Sequence, residues 1–234
     1  MAAAVVLSIG TPVAAAEPPA PPAPIVPPPV QPANIGDLKT DAISYYDSGA
    51  YLTDLQLAAA PAIAWIDEEA PRVDRPAVVF DIDETALSNW EVIKADDFGR
   101  VIDGPCTRLP QGPCGWRAWD LTAQSTVIQP TLDVFTEARD RGAAIFFITG
   151  RDESQRIATE RNLKTTGYGG YTQLIMEPVG AHFASAADFK APQRAHIAEQ
   201  GYTIIANMGD QPSDLDGGFA ERTYLLPNPF YRIP

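Results

Sequence analysis

The stretch VVFDIDETAL, residues 78–87, sets Asp81, Asp83 and Glu84 within four positions, directly behind an apolar run. Carboxylates this close repel one another, and a chain tuned for stability alone would spread them apart. A divalent cation offsets that repulsion. An all-oxygen donor set suits Mg²⁺, which keeps several waters and accepts the phosphate oxygens of a substrate. The cation would also let an anionic phosphate come close to Asp81. A carboxylate is a competent nucleophile at phosphorus, and an acyl phosphate divides one hard displacement into two.

Other polar groups follow two more apolar runs. Thr149-Gly150-Arg151 comes after AAIFFI (143–148); Gly209-Asp210-Gln211, with Asp214 close behind, comes after YTIIANM (202–208). Asp81, Asp83 and Asp210 are candidate metal ligands, and Asp214 would complete or orient the shell. With Asp81 as nucleophile, Asp83 would protonate the leaving alkoxide and later take a proton from the attacking water. Thr149, with Gly150 beside it, would bind the phosphoryl group, and Lys190 would stabilise its charge as a fixed cation. Each motif alone has a plainer reading. DxDxT is often a solvated turn with Thr85 capping a helix, TGR a common turn, Lys190 a surface lysine and GDQPSD a capping loop. Their joint order favours chemistry.

Those residues need a scaffold. AVVF (77–80), AAIFFI (143–148), QLIM (173–176) and YTIIANM (202–208) read as buried parallel strands, and RTYLL (222–226) as a fifth strand at the edge. Helical spacing covers 131–142, closing on Gly142, 153–167, and 188–201, ending at Gly201. Two further helices precede the first strand, with Asp41 and Thr53 near their expected starts. Alternation of this kind predicts an α/β fold: a Rossmann-like parallel sheet with helices on both faces, plus N-terminal helices. Ligands of open α/β sheets bind beyond the carboxyl ends of the strands, where the polar segments fall.

Composition narrows the function. At 234 residues, 45% apolar and 20% charged, the chain can bury a real core. A net charge of −13 argues against a nucleic-acid polymer as partner and leaves small phosphorylated ligands open. Residues 1–16, MAAAVVLSIGTPVAAA, resemble a secretory signal ending in small residues, although no Lys or Arg precedes the apolar run. That run is shorter than the ~20 residues a transmembrane helix needs. Residues 17–35 are proline-rich and read as a semi-rigid spacer. The expected location is therefore periplasmic or extracellular. In that setting Cys106 and Cys114 are a candidate short-loop disulfide, worth roughly 2–3 kcal/mol; two free buried thiols are the alternative.

The segments FDIDETALSN, FFITGRDESQRIATERNLKTTGY, FKAPQR and IIANMGDQPSDLDGG come in the order of the four motifs of the haloacid dehalogenase-like (HAD) superfamily. They most resemble its class B-type acid phosphatase branch, which includes bacterial lipoprotein acid phosphatases and plant vegetative storage proteins. The similarity spans roughly residues 36–234. It implies Mg²⁺-dependent phosphomonoester hydrolysis, with Asp81 as nucleophile and Asp83 as acid–base. It further implies that Thr149 and Lys190 bind phosphate, and that Asp81, the Asp83 carbonyl and Asp210 bind metal with Asp214 nearby. The lipoprotein members carry an anchoring cysteine that this chain lacks, so a soluble exported protein is expected. Plant storage relatives can lose the nucleophile; here it is present.

Residues 86–130 exceed a plain crossover and read as a small cap segment. It holds Trp90, Trp116 and Trp119, candidates for stacking on a nucleotide base or aryl leaving group, or for simple packing. His182 and His196 have no Arg-His-Gly context and are read as loop and helix residues, while Arg194 follows Lys190 on one helix face. Two rivals stand beside a phosphatase: a phosphotransferase on the same site, and a non-catalytic storage or binding protein of the same fold.

Overall fold

Two helices open the described chain. Asn34 caps α1 (Ile35–Asp47), its side-chain oxygen accepting from the amides of Gly36 at 2.8 Å and Asp37 at 3.3 Å. The left-handed Gly49 then admits α2 (Ala50–Glu69), whose buried stripe is Tyr51, Leu55, Ala59, Ala62 and Ile66. Asp41 and Thr53 therefore lie inside helices rather than at their starts, because stronger start signals stand upstream of each. The computed structural model describes residues 31–233 together with Met1 and Ala2. The expected signal segment (1–16), beyond its first two residues, and most of the spacer (17–35) lie outside the described residues. Ile35, assigned to the spacer, already belongs to α1.

The chain continues through β1 (Pro76–Phe80), β2 (Leu87–Ser88), α3 (Trp90–Ala95), α4 (Trp116–Thr122) and β3 (Thr126–Val127). Then come α5 (Gln129–Asp140), β4 (Ala144–Asp152), α6 (Arg156–Thr165), β5 (Gln173–Glu177), α7 (Ala186–Glu199), β6 (Thr203–Gly209), α8 (Pro212–Leu215) and β7 (Arg222–Leu225). Five of the strands form a parallel sheet in the order β5-β4-β1-β6-β7, with β7 at an edge as expected. The chain steps from β1 to β4 on one side and later to β6 on the other, so a crevice opens beyond the end of β1.

Continuous apolar runs suit strands covered on both faces. Val78, Phe80, Ile145 and Phe147 join the core shared with α2 and α5. Their neighbours Ala77, Val79, Phe146 and Ile148 pack against Phe189 and Ile197 of α7. The helices expected over 131–142 and 188–201 start two residues earlier. Pro130 sits in the first turn of α5, and Ser185 with Asp188 forms a capping box for α7.

Two departures shape the site. The second strand does not stop at Ile148: β4 runs on to Asp152, with its pairing to β5 shifted between Thr149 and Asp152. Such an irregularity takes Gly150 and Arg151 out of the ladder and re-aims them. The inserted residues 86–130 are closed at their base by the antiparallel pair β2–β3, and Leu87, Val92, Ile93 and Ile128 share the main core. The segment is thus continuous with the body of the protein, and a disulfide joins Cys106 to Cys114 within it.

Candidate active site

At the end of β1 the backbone turns sharply. Asp81 donates its amide to Met208 O at 2.9 Å, and Glu84 adopts φ 53°, a left-handed conformation that costs a non-glycine residue about 1–2 kcal/mol. The turn sends the three carboxylates in different directions. Glu84 turns into the protein but stays beside Asp83, the Asn89 side-chain nitrogen donating to both, at 3.3 Å and 2.8 Å. It accepts from the Asn89 amide at 2.5 Å and from the Tyr231 hydroxyl at 2.6 Å, while burial, then the nearby Asp83, pushes its pKa up to about 8.

Asp81 turns towards Lys190 on α7. The Lys190 ammonium donates to Asp81 and, at 2.7 Å, to Asp214 Oδ1. Burial lowers the Lys190 pKa, but the two carboxylates outweigh it and hold the ammonium charged. Asp210, at the end of β6, accepts from Asn228 at 2.6 Å, Gln211 at 2.5 Å and Thr85 at 3.3 Å. Thr85 therefore ties the first motif to the last and does not cap a helix. Gly209 makes the tight approach workable, since a Cβ there would overlap the Asp214 side chain.

Carboxylate oxygens of Asp81, Asp210 and Asp214 all lie within 4.8 Å of one another, the group of this kind among the described residues. Burial pushes Asp210 up to about 8, with Asp214 adding to the rise. Burial likewise raises Asp81; Lys190 pulls it back, and Asp214 and Asp210 push it further. Three buried acids against one ammonium leave surplus negative charge on oxygen donors, which fits a divalent cation. Asp81 Oδ1 and both oxygens of Asp214 already have partners, leaving Asp81 Oδ2 and the thinly bonded Asp210 Oδ1 as the freest donors.

The Asp83 side chain stands apart from that group. Arg151 grips it, Nη2 donating at 2.6 Å and Nε at 3.2 Å to both oxygens, and Asn89 Nδ2 donates at 2.8 Å. Burial would raise its pKa, but Arg151 and Asn89 bring it below the ordinary value. Arg151 Nη2 also lies 3.1 Å from Asp120 of α4. Burial lifts Asp120 to about 7 against the pull of Arg151.

A cavity of about 350 Å³ opens over both groups, within the range of small-molecule sites. Asp81, Asp83, Gly150, Lys190, Asp210 and Asp214 all line it. Thr149 does not; it is fully buried, its hydroxyl accepting from the Arg151 amide at 3.2 Å. Of the three tryptophans, Trp116 reaches the cavity. The Arg100 guanidinium lies 5.3 Å from its ring centre, and Tyr231 packs edge-on at 5.4 Å. Trp90 stacks on Tyr46 at 3.9 Å, and Trp119 spends its indole N–H on Asn89, so both belong to the core. His182 lines the cavity from the loop before α7; His196 is an exposed helix residue beside Glu199. Arg194 is buried and donates to the Asp214 carbonyl at 2.7 Å, bracing the loop behind the acids.

Sequence reasoning missed Asn89, Asp120, Asn228 and Tyr231, and gave Arg151 no role. Asn89 and Arg151 lie within motifs already singled out. Asp120 and the C-terminal pair sit in stretches with no periodic signal, and the fold alone brings them here.

The sheet order, the motif positions and the paired acids define a HAD-type hydrolase site. The family model for HAD superfamily, subfamily IIIB (acid phosphatase) matches residues 29–234, and the chain belongs to that family. It is 31% identical to acid phosphatase 1 of Solanum lycopersicum over 161 residues, covering 68% of this chain and 60% of that protein. It is 33% identical to a stem 28 kDa glycoprotein of Glycine max over 158 residues, 66% of this chain and 59% of that one. Vegetative storage protein 1 of Arabidopsis thaliana is 28% identical, over 67% of this chain and 55% of its own. The chain thus aligns with about three fifths of the length of these relatives. The class C acid phosphatase of Bacillus anthracis shares the fold, with a TM-score of 0.66 at 20% identity over 85% of this chain and 86% of that one. The family resemblance read from the motifs is borne out, as is the α/β sheet.

Proposed function

We propose that the protein is an exported, Mg²⁺-dependent acid phosphatase that hydrolyses small phosphomonoesters, nucleotides among them, through an aspartyl-phosphate on Asp81. The observation that carries this reading is the buried Lys190 ammonium shared by Asp81 and Asp214 with Asp210 in reach, all lining the cavity. Asp81 and Asp210 would hold the cation, with the Asp83 carbonyl beside them and Asp214 orienting the set. Bound there, Mg²⁺ would neutralise the acids and the incoming phosphate. Export is supported by the apolar N-terminal run and by the disulfide. No helix among the described residues is long and apolar enough to cross a membrane.

The chain's own groups divide the work. Lys190 and the backbone at Gly150 hold the phosphoryl oxygens. Asp83 is ionised at rest and would take up a proton from solvent as the anionic phosphate enters beside it. An Asp81 oxygen then attacks phosphorus as the ester P–O bond breaks, and Asp83 gives that proton to the leaving oxygen. Asp83, now a carboxylate, takes a proton from water as the water oxygen attacks phosphorus; phosphate leaves and Asp81 is restored. The leaving group would lie along Arg100, Trp116 and Tyr231. Hydrolysis of an aryl phosphate by the purified protein, with Mg²⁺ and with chelator, tests this reading. Turnover that needs the metal and disappears in Asp81→Asn is expected. A folded, metal-binding protein with no turnover over a broad pH range and substrate panel would favour a storage role.

A further inference from the structure

We propose that the inserted segment positions the acid–base carboxyl, with Asn89 acting directly and Asp120 acting through Arg151; this rests on Asp83 being the acid–base of the preceding section. Asn89 is fully buried and its amide orientation is fixed. Trp119 Nε1 at 2.9 Å and Ser125 Oγ at 2.7 Å both donate to its oxygen, so its nitrogen is the side that meets Asp83, at 2.8 Å, and more distantly Glu84, at 3.3 Å. Asn89, Trp119 and Ser125 all lie in residues 86–130. Asp120, in the same segment, lies 3.1 Å from Arg151 Nη2 and is itself held by Gln155 Nε2 at 2.7 Å. Arg151 Nη2 meets both carboxylates, and a guanidinium is a rigid planar fork, so the charge of Asp120 on that nitrogen helps set the plane in which Nη2 and Nε reach Asp83. Thr159 takes a further contact from Arg151 Nη1 at 3.3 Å.

The contacts fall unevenly on Asp83. Its Oδ1 accepts from Asn89 and from Arg151 Nη2, whereas Oδ2 has one contact, from Arg151 Nε at 3.2 Å. Oδ2 is therefore the oxygen free to carry the transferable proton. Asp83, Arg151 and Asp120 line the cavity while Asn89 does not, so in this clamp the amide holds the carboxyl from the buried side and the arginine holds it along the cavity wall. The extension between the first two motifs thus lines the cavity through Arg100, Trp116 and Asp120 and, through Asn89, also supports the proton donor. Proton transfer needs this accuracy, since a general acid works within hydrogen-bond reach of the leaving oxygen.

The test is the dependence of kcat/KM on the leaving group, measured with Mg²⁺ on 4-nitrophenyl, phenyl and simple alkyl phosphates. A good leaving group departs without a proton and a poor one does not. Asn89→Ala is expected to lose roughly 10–100-fold on the alkyl ester and under about threefold on the nitrophenyl ester. Asp120→Asn should tilt the series the same way by a smaller factor. Equal losses for every leaving group in both variants would mean ordinary structural damage and overturn the proposal. Thermal melts check folding, and if Asn89→Ala does not fold, Asp120→Asn alone decides. Asp83→Asn is the reference. If Asp83→Asn steepens the series and the other two do not, the clamp is wrong and the reading of Asp83 stands; if Asp83→Asn is flat, both fall.

Discussion

Two pairs of acids line the same cavity, and each pair shares one buried cation, but the cations differ in kind. Lys190 lies between Asp81 and Asp214, Arg151 between Asp83 and Asp120. An ammonium is a compact charge on a flexible stem, and a guanidinium is a planar fork with fixed donor directions. The lysine pair has a third acid, Asp210, in reach and a surplus of negative charge. The arginine pair is padded with neutral donors, Asn89 and Gln155, and its Asp83 is held below the usual carboxylate range. The contrast is between a site short of one cation and a site already balanced. The first can take up a metal and a phosphate; the second can hold a side chain still.

The largest expected effect lies on the lysine side. Asp81→Asn should cut turnover of an aryl phosphate by roughly 10⁴-fold or more, as loss of a nucleophile does. A steady-state assay at saturating substrate reads this directly, and wild-type rates in the variant would remove Asp81 from the mechanism. Next come the cations themselves. Lys190→Met and Arg151→Met each strand two buried carboxylates, and each should lose about 3–5 kcal/mol in urea unfolding. Mg²⁺ should restore part of the loss in Lys190→Met and none in Arg151→Met. Equal rescue of both would erase the distinction drawn between the two pairs.

A smaller shift comes from the metal on the intact protein. Mg²⁺ at a hundred times its dissociation constant should add about 2.7 kcal/mol, raising Tm by about 5–10 °C in a domain of this size. Asp210→Asn should abolish that shift, and Asp120→Asn should leave it in place. Differential scanning calorimetry with and without chelator separates these outcomes.

The lysine side was largely legible in the sequence and the arginine side was not, for a physical reason. Asp81, Asp210 and Lys190 stand at strand ends or on a helix that hydrophobic periodicity locates, so the topology predicts their meeting. Asp120 sits in a segment without such a period, Asn89 takes its orientation from Trp119, 30 residues on, and Arg151 takes its role from a contact with Asp83 across 68 residues and from a shifted register in β4. The tryptophans teach the same point. Composition marks Trp90, Trp116 and Trp119 alike, but Tyr46 stacks on the first and Asn89 occupies the indole N–H of the third. The helix starts at Asn34 and Gly49 were missed because Asp41 and Thr53 offer capping side chains at positions where the backbone is already helical.

The finest comparison concerns the proton on Asp120, whose pKa burial raises to about 7 against the pull of Arg151. In the unfolded chain an aspartate titrates near 4. Between those values the folded protein keeps a proton that the unfolded chain has released. Stability attributable to Asp120 is therefore full below about pH 4, falls as pH rises towards 7, and is flat above. Asp120→Asn removes that slope and leaves the other buried acids in place. The stability of wild type minus that of the variant should then be larger at pH 4 than at pH 8, by chemical denaturation in chelator. A difference that does not change with pH would mean that Arg151 holds Asp120 ionised throughout, and the arginine side would then carry two full negative charges on one fork.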